Sequence, residues 1–452
     1  MRHAQPISRA RACFGALLAL SVVSGCSTKP EKKQEIKGYP ELAGSEPWQD
    51  QLGARTLADR GALLRVVHAA TVPQAEISRS PFSIPSLGPA TNGYELFVLQ
   101  YVSEGRPGVA TAVSALVYLP TGGARNVPIV AIEHGGSGVG PTCGPSHIPL
   151  ITDPLAIPLV ARGYAVLAPD YAGMGVDNGM TSFLVGAAEA AATLDGVRAL
   201  RRFHDPRFDA AQLGTDFFVA GHSQGGHAAL FTHQLFDPSI GVRLLGSVAI
   251  APGLGSAKQW AKNFSDPARP TGGLETAAAA SLYAHALYAG RPAPPTWLSP
   301  GAQVRLPALL HDFCLPHLVA FSWGAFPTVG DLYQPSFLAA AAACNFDGAC
   351  PGFEPWASAL VENEPGRFTS AVPSLILQGL ADTVVEPAST GCIVARMTER
   401  RTPVQACAYP GADHVSVLEH AVPDMVRWIV ARRAGQTPDV CTTRLAATCD
   451  SK

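Results

Sequence analysis

Hydrophobic positions along this chain change period near residue 94, and the change marks its organisation. The runs 94–102 (YELFVLQYV) and 110–120 (ATAVSALVYLP) are strand-like and are separated by Glu104-Gly105-Arg106-Pro107-Gly108, a turn. They predict an antiparallel entry into a sheet. Apolar runs at 127–133, 164–168 and 244–250 lack a polar alternation, as strands buried on both faces do. Between them, 154–162 and 181–203 read as helices. The second carries apolar or small residues at Leu184, Ala187, Ala191, Leu194, Val197 and Leu200 and stops at Asp205-Pro206. Sheet-like order returns at 372–379 and 404–409. Alternating buried strands and helices predict an α/β fold, a mostly parallel central sheet with helices on both faces.

Two stretches break this pattern. Residues 27–90 are rich in Pro, Gly and Ser, with one helix expected near 57–67. Residues 253–365 show no strand pattern, many prolines and alanines, and aromatics at Trp260, Phe264, Tyr283, Tyr288, Trp297, Phe313, Phe321, Trp323 and Phe326. We read that interval as a helical cap inserted into a core made of 49–252 and 366–452. Most of its aromatics are expected to pack the cap's own interior, and an apolar cap suits a greasy acyl group.

The candidate chemistry centres on residues 216–230, DFFVAGHSQGGHAAL: an apolar strand, a serine between glycines, then a helix start. This is the G-x-S-x-G pattern in its strand–turn–helix setting, which makes Ser223 a candidate nucleophile. Glycines two before and two after the serine allow the tight, strained turn. A serine hydroxyl needs an imidazole base oriented by a carboxylate. Asp382 follows the strand ending at Gly379, and His414 follows the strand 404–409, giving the order serine, acid, histidine. Glu386 or Asp413 could supply the carboxylate instead. His420 falls within the following helix; His222 and His227 are too close to Ser223 in sequence to act as its base and are expected to pack or line the pocket. The oxyanion donors are expected to be the N–H of Gln224 and one from the His134-Gly135-Gly136-Ser137 turn. Gly136 is chosen, with Gly135 or Ser137 open to a one-residue shift, and His134 is expected to shape the loop.

Composition narrows the function. The 452 residues are 47% hydrophobic and 15% charged with net charge −2, which gives no support for nucleic-acid binding. No Walker motif, dinucleotide fingerprint or metal-ligand cluster occurs, so the chemistry needs no cofactor. Arg2, Arg9 and Arg11 precede an apolar run at 12–23 that is short for a membrane span and shaped like a signal peptide. The run ends Val23-Ser24-Gly25-Cys26, which resembles a bacterial lipobox. That resemblance implies a signal at 1–25, a lipidated Cys26, a polar tether at 26–48 and an exported, membrane-anchored lipoprotein. Cys13 and Cys26 aside, eight cysteines remain, an even number outside the cytosol. Proximity in sequence suggests Cys344–Cys350, Cys392–Cys407 and Cys441–Cys449, leaving Cys143–Cys314.

With these residues together the chain resembles the α/β-hydrolase superfamily and, within it, the secretory lipase family over roughly 50–435. The nearer resemblance rests on Gly163-Tyr164-Ala165-Val166 leading to Pro169-Asp170-Tyr171-Ala172-Gly173, on Thr193-Leu194-Asp195-Gly196-Val197-Arg198-Ala199-Leu200, and on the Ser223 elbow. It implies an α/β-hydrolase fold and cleavage of acyl esters or lipids by a Ser-Asp-His triad under a helical cap. His222 and Gln224 occur in the elbows of esterases and peptidases too, and the His134-Gly135-Gly136-Ser137 turn is similar to that of prolyl-oligopeptidase-like hydrolases. A serine peptidase is therefore the alternative, and a non-catalytic binding lipoprotein a third reading.

Overall fold

The computed structural model describes residues 46–179, 181–291, 296–315, 317–346 and 348–449. The expected signal peptide, Cys26 and nearly all of the tether lie outside the described residues. Nine strands form the main sheet: β1 (Leu63–Val72), β2 (Tyr94–Arg106), β3 (Val109–Pro120), β4 (Val127–Glu133), β5 (Ala165–Pro169), β6 (Leu213–His222), β7 (Arg243–Ile250), β8 (Ser374–Gly379) and β9 (Val404–Tyr409). Their spatial order is β1-β2-β3-β5-β4-β6-β7-β8-β9. The β1/β2, β2/β3 and β3/β5 pairs are antiparallel, and every pair from β5 through β4 to β9 is parallel. The carboxyl ends of the parallel strands thus share one side, where function gathers in such sheets.

Alternating strand residues feed two cores. Val130, Ile132, Phe218 and Ala220 pack against the helices Asp153–Val160 and Val417–Arg433. Ile129, Ala131, Phe217 and Val219 face the helices Gly186–Leu200 and Gln224–Gln234. Ile376 meets Ile393 and Met397 of Pro387–Glu399 on that second side. Burial on both faces accounts for the continuous apolar runs of the central strands.

The sequence expectations hold for the sheet and fail at three places. The helix expected at 57–67 is a one-turn 3-10 helix, Leu57–Asp59, capped by Thr56, followed by β1. The β-branched run Val66, Val67, Thr71, Val72 lies along β2 as an antiparallel edge, and that pairing outweighs local helix propensity. The helix expected from 181 starts at Gly186. Leu184 has φ 56°, outside helical space, and a Cβ on Gly186 would fall 2.2 Å from the Phe231 ring. Two disulfides are also repaired. Cys143–Cys314 and Cys344–Cys350 form as expected, whereas the others are Cys392–Cys449 and Cys407–Cys441. The cause is the C-terminal tail, which lies along the outer edge of β9: Ala408 N–H donates to Thr443 O and Leu445 N–H to Ala406 O. That register sets Arg444 opposite Cys407, brings Cys441, three residues earlier, within bonding reach of Cys407, and carries Cys449 on to the helix bearing Cys392.

Between β7 and β8 the described residues form helices and no strand of the sheet, from Ala257–Ala261 to Glu354–Glu362. They share an interior around Phe264, Trp297, Phe326, Tyr333, Phe337 and Phe353. Of the aromatics singled out in the sequence, Phe264, Trp297 and Phe326 enter that interior, while Phe321 and Trp323 are exposed. The segment is fastened to the sheet by Cys143–Cys314 and by Leu315 N–H, which donates to Ser137 O at 2.9 Å.

Candidate active site

β6 delivers its chain directly into the turn at Ser223, which has φ 60° and ψ −119° and starts the helix Gln224–Gln234. A non-glycine residue at that φ is strained and is held there by its surroundings. The space is closed tightly. A Cβ on Gly221 would sit 2.2 Å from Gly225 O, and one on Gly225 would sit 1.9 Å from Glu133 O, so neither position accepts a side chain. Gly226 meets the Pro252 backbone after β7 in the same way.

The loop after β8 carries Asp382 and the loop after β9 carries His414. His414 Nε2 lies 2.9 Å from Ser223 Oγ, and His414 Nδ1 lies 2.7 Å from Asp382 Oδ2. A carboxylate only accepts, so Nδ1–H donates to it and leaves the Nε2 lone pair facing the serine hydroxyl. Asp382 is buried, and its Oδ1 accepts Val384 N–H at 2.8 Å and Val385 N–H at 2.9 Å. Burial alone would raise its pKa. The hydrogen bond and charge of His414 and the two backbone N–H groups outweigh that and hold the carboxyl below its ordinary value. Asp413 closes its own turn on Val415 N–H and Ser416, Glu386 stands at the N-cap position of the helix Pro387–Glu399 without a side-chain capping bond, and His420 stacks on Tyr409.

His222 does more than pack. Its Nε2–H donates to His414 O at 2.8 Å, and burial, with the His414 ring nearby, pushes its pKa down to about 3. His134 donates Nδ1–H to Gly135 O at 2.7 Å and stacks on Tyr171 with ring centres 4.3 Å apart. That places the turn against the elbow. A Cβ on Gly135 would lie 3.6 Å from Ser223 Cβ, and one on Gly136 would lie 3.9 Å from Gln224 Oε1. Gly135 thus lies beside Ser223, and Gly136 lies near the Gln224 side chain and against the Phe183 ring. Among the described residues no group of His, Cys, Asp and Glu could hold a metal ion.

Sequence reasoning did not single out Glu133, Glu189 or Asn363, which lie just behind these groups. Glu189 is a fully buried carboxylate that accepts from Gln224 Nε2 and His227 Nδ1, each at 2.8 Å. A lone acid within the alanine run 186–192 was the available signal, since a buried charge needs partners.

The chain has a fold of the α/β-hydrolase type, a mostly parallel sheet with helices on both faces. Residues 151–251, the segment from the first large helix through the elbow to β7, match the family model described as secretory lipase. No curated protein matches the chain by sequence. Among solved structures, the rice cell wall degrading esterase LipA from Xanthomonas oryzae is 18% identical with a TM-score of 0.68, over 83% of this chain and 98% of that one. Candida antarctica lipase A in its closed state is 20% identical with a TM-score of 0.63, over 86% of each chain. A putative hydrolase from Legionella pneumophila is 15% identical with a TM-score of 0.67, over 83% of this chain and all of that one.

Proposed function

We propose that this protein cleaves carboxylic esters, as a lipase or carboxylesterase, through a Ser223-His414-Asp382 triad and an acyl-enzyme. The observation that carries the reading is the unbroken hydrogen-bond chain from Ser223 Oγ through both nitrogens of His414 to Asp382. His414 Nε2 takes the hydroxyl proton as Ser223 Oγ attacks the ester carbonyl. The carbonyl oxygen becomes an anion, and in this reading the N–H groups of Gln224 and the Gly136 turn receive it. The protonated His414 gives its proton to the departing alkoxide. Water, deprotonated by His414, then attacks the acyl carbonyl and frees the acid and Ser223.

The helices between β7 and β8 act as the cap in this reading and select the acyl group. A cavity of about 300 Å³ is lined by Val139, Tyr283, Leu287 and Leu310 on its apolar side and by Asp177, Thr181 and His311 on its polar side, and Leu315, Phe321 and Trp323 of the same segment are exposed; these apolar surfaces support an apolar acyl group. Four disulfides agree with export. The lipidated Cys26 and its tether would hold the hydrolase at a membrane, and a Cys26→Ala chain that still takes up labelled fatty acid refutes that part.

Hydrolysis of p-nitrophenyl esters of rising chain length, beside a proline-terminated chromogenic amide, tests the reaction. We expect ester turnover that Ser223→Ala abolishes and that Asp382→Asn lowers by about 10⁴ in kcat. Ester turnover that survives Ser223→Ala refutes the mechanism, and amide cleavage faster than ester cleavage makes the protein a peptidase.

A further inference from the structure

Glu189 is buried to 0% exposure on the helix Gly186–Leu200, among alanines, and none of the steps above uses it. An ionisable group in that setting is costly unless it is fully paired. It is paired to an unusual degree. Its Oε1 accepts Leu184 N–H at 3.0 Å and Gln224 Nε2–H at 2.8 Å, and its Oε2 accepts His227 Nδ1–H at 2.8 Å. Gln224 and His227 are three residues apart and share the first turn of the elbow helix, so one carboxylate grips both ends of that turn.

The grip extends into the inserted helices. His227 Nε2–H donates to Asn363 O at 2.9 Å, and Asn363 Oδ1 accepts Gly186 N–H at 2.8 Å. Asn363 is the residue on which Glu354–Glu362 ends. A carbonyl oxygen only accepts, so Nε2 donates to Asn363 O, and with Nδ1 bonded to Glu189 the ring cannot turn without losing a bond. Glu189, Gln224, His227 and Asn363 thus form one closed set joining the helix behind the sheet, the elbow and the end of the inserted segment.

We infer that Glu189 is a positioning residue for the oxyanion hole. By holding the side chain of Gln224 against the turn, it fixes the peptide plane between the strained Ser223 and Gln224, and with it the direction of the Gln224 N–H. That N–H lies in the first turn, where the helix itself leaves it unpaired. The seating of Asn363 makes the inserted segment part of the same restraint. The inference rests on the acyl-transfer reading proposed above, and Ser223→Ala tests that reading separately.

Kinetics of Glu189→Ala, Gln224→Ala and the double variant on one soluble p-nitrophenyl ester test the inference. Gln224→Ala keeps the backbone N–H and removes only the held side chain. Each single variant is expected to lower kcat by about tenfold to a hundredfold with KM nearly unchanged, the signature of an interaction made in the transition state. Binding of an alkyl boronic acid, which carries the tetrahedral anion, should weaken by the same factor. Because both changes break one linkage, the double variant should be no slower than the slower single. Losses that multiply, or a KM rise with kcat intact, overturn the inference. Should Glu189→Ala fail to fold, Gln224→Ala decides alone: full kcat and undiminished boronate affinity overturn it.

Discussion

His222 donates its Nε2–H to the backbone carbonyl of His414, and the two rings lie with centres 4.6 Å apart. The residue before the proposed nucleophile therefore holds the loop that carries the proposed base, across 192 positions of sequence. Burial keeps His222 neutral at any pH at which the enzyme would work, so it acts as a fixed donor and as a flat wall for the His414 ring.

This predicts the behaviour of His222→Leu. The His414 loop loses its cross-chain bond while the triad residues stay intact. We expect kcat to fall by about tenfold and labelling of Ser223 by a fluorophosphonate to slow in parallel, with KM little changed, since a misplaced base costs rate before it costs binding. Steady-state kinetics with a labelling time course will check it. An unchanged labelling rate would show that the loop holds its own shape.

A second prediction concerns Glu133, at the end of β4. Burial, partly offset by the Thr193 hydroxyl and reinforced by the charge of Glu189, pushes its carboxyl up to about 8. The folded state then holds a proton that the unfolded state has already released, from the ordinary carboxylate value up to about 8. Stability therefore falls as pH rises through that window, by about 1.4 kcal/mol per pH unit for one such group. Below about 6.5, the ordinary histidine value, the depressed His222, His233 and His285 act in the opposite sense, because the unfolded state takes up protons that these buried rings refuse. The clear window is thus about 6.5 to 8, where Asp153, raised by burial to about 7, adds to Glu133. Glu133→Gln keeps an acceptor for the Thr193 hydroxyl. It should flatten the decline of Tm between those pH values, as thermal melts in a pH series would record. An unaltered slope would mean that Glu133 is ionised in the folded protein.

The third prediction concerns Cys143–Cys314, which joins the loop after β4 to the inserted helices over a separation of 171 residues. Replacing both cysteines by serine should cost about 2–5 kcal/mol of stability. It should also loosen the Ser137–Leu315 contact beside the oxyanion turn. We expect a lower Tm together with a changed preference between short and long acyl chains. A loss of Tm with the chain-length profile unmoved would confine the bridge to stability.

The central strands and the elbow were legible in the sequence because the sheet core and the glycine contacts each impose a local pattern. Val127–Glu133 has to be apolar on both faces, and Gly221 and Gly225 have no room for a Cβ. Asp382 and His414 were legible for a related reason: strand ends are where this kind of sheet presents chemistry. Strand β1 was not, since an edge strand is half solvated and its identity comes from the neighbour it pairs with. Nor were the partners of Cys392 and Cys407, which depend on where the tail from Cys441 to Cys449 runs in space. Glu189 and Asn363 were hidden because their roles consist of contacts between segments 38 and 177 positions apart.

The tail that lies along β9 carries a consequence for biogenesis. Until residues 441–449 have been synthesised and oxidised, the sheet ends in β9 with its outer backbone groups open. An open edge of that kind is a template for another chain. A chain whose tail has not docked would hold every strand of the sheet and still present that open edge. The Cys407–Cys441 and Cys392–Cys449 bridges fasten the tail over that edge, so the two disulfides shield the sheet from another chain as well as add stability.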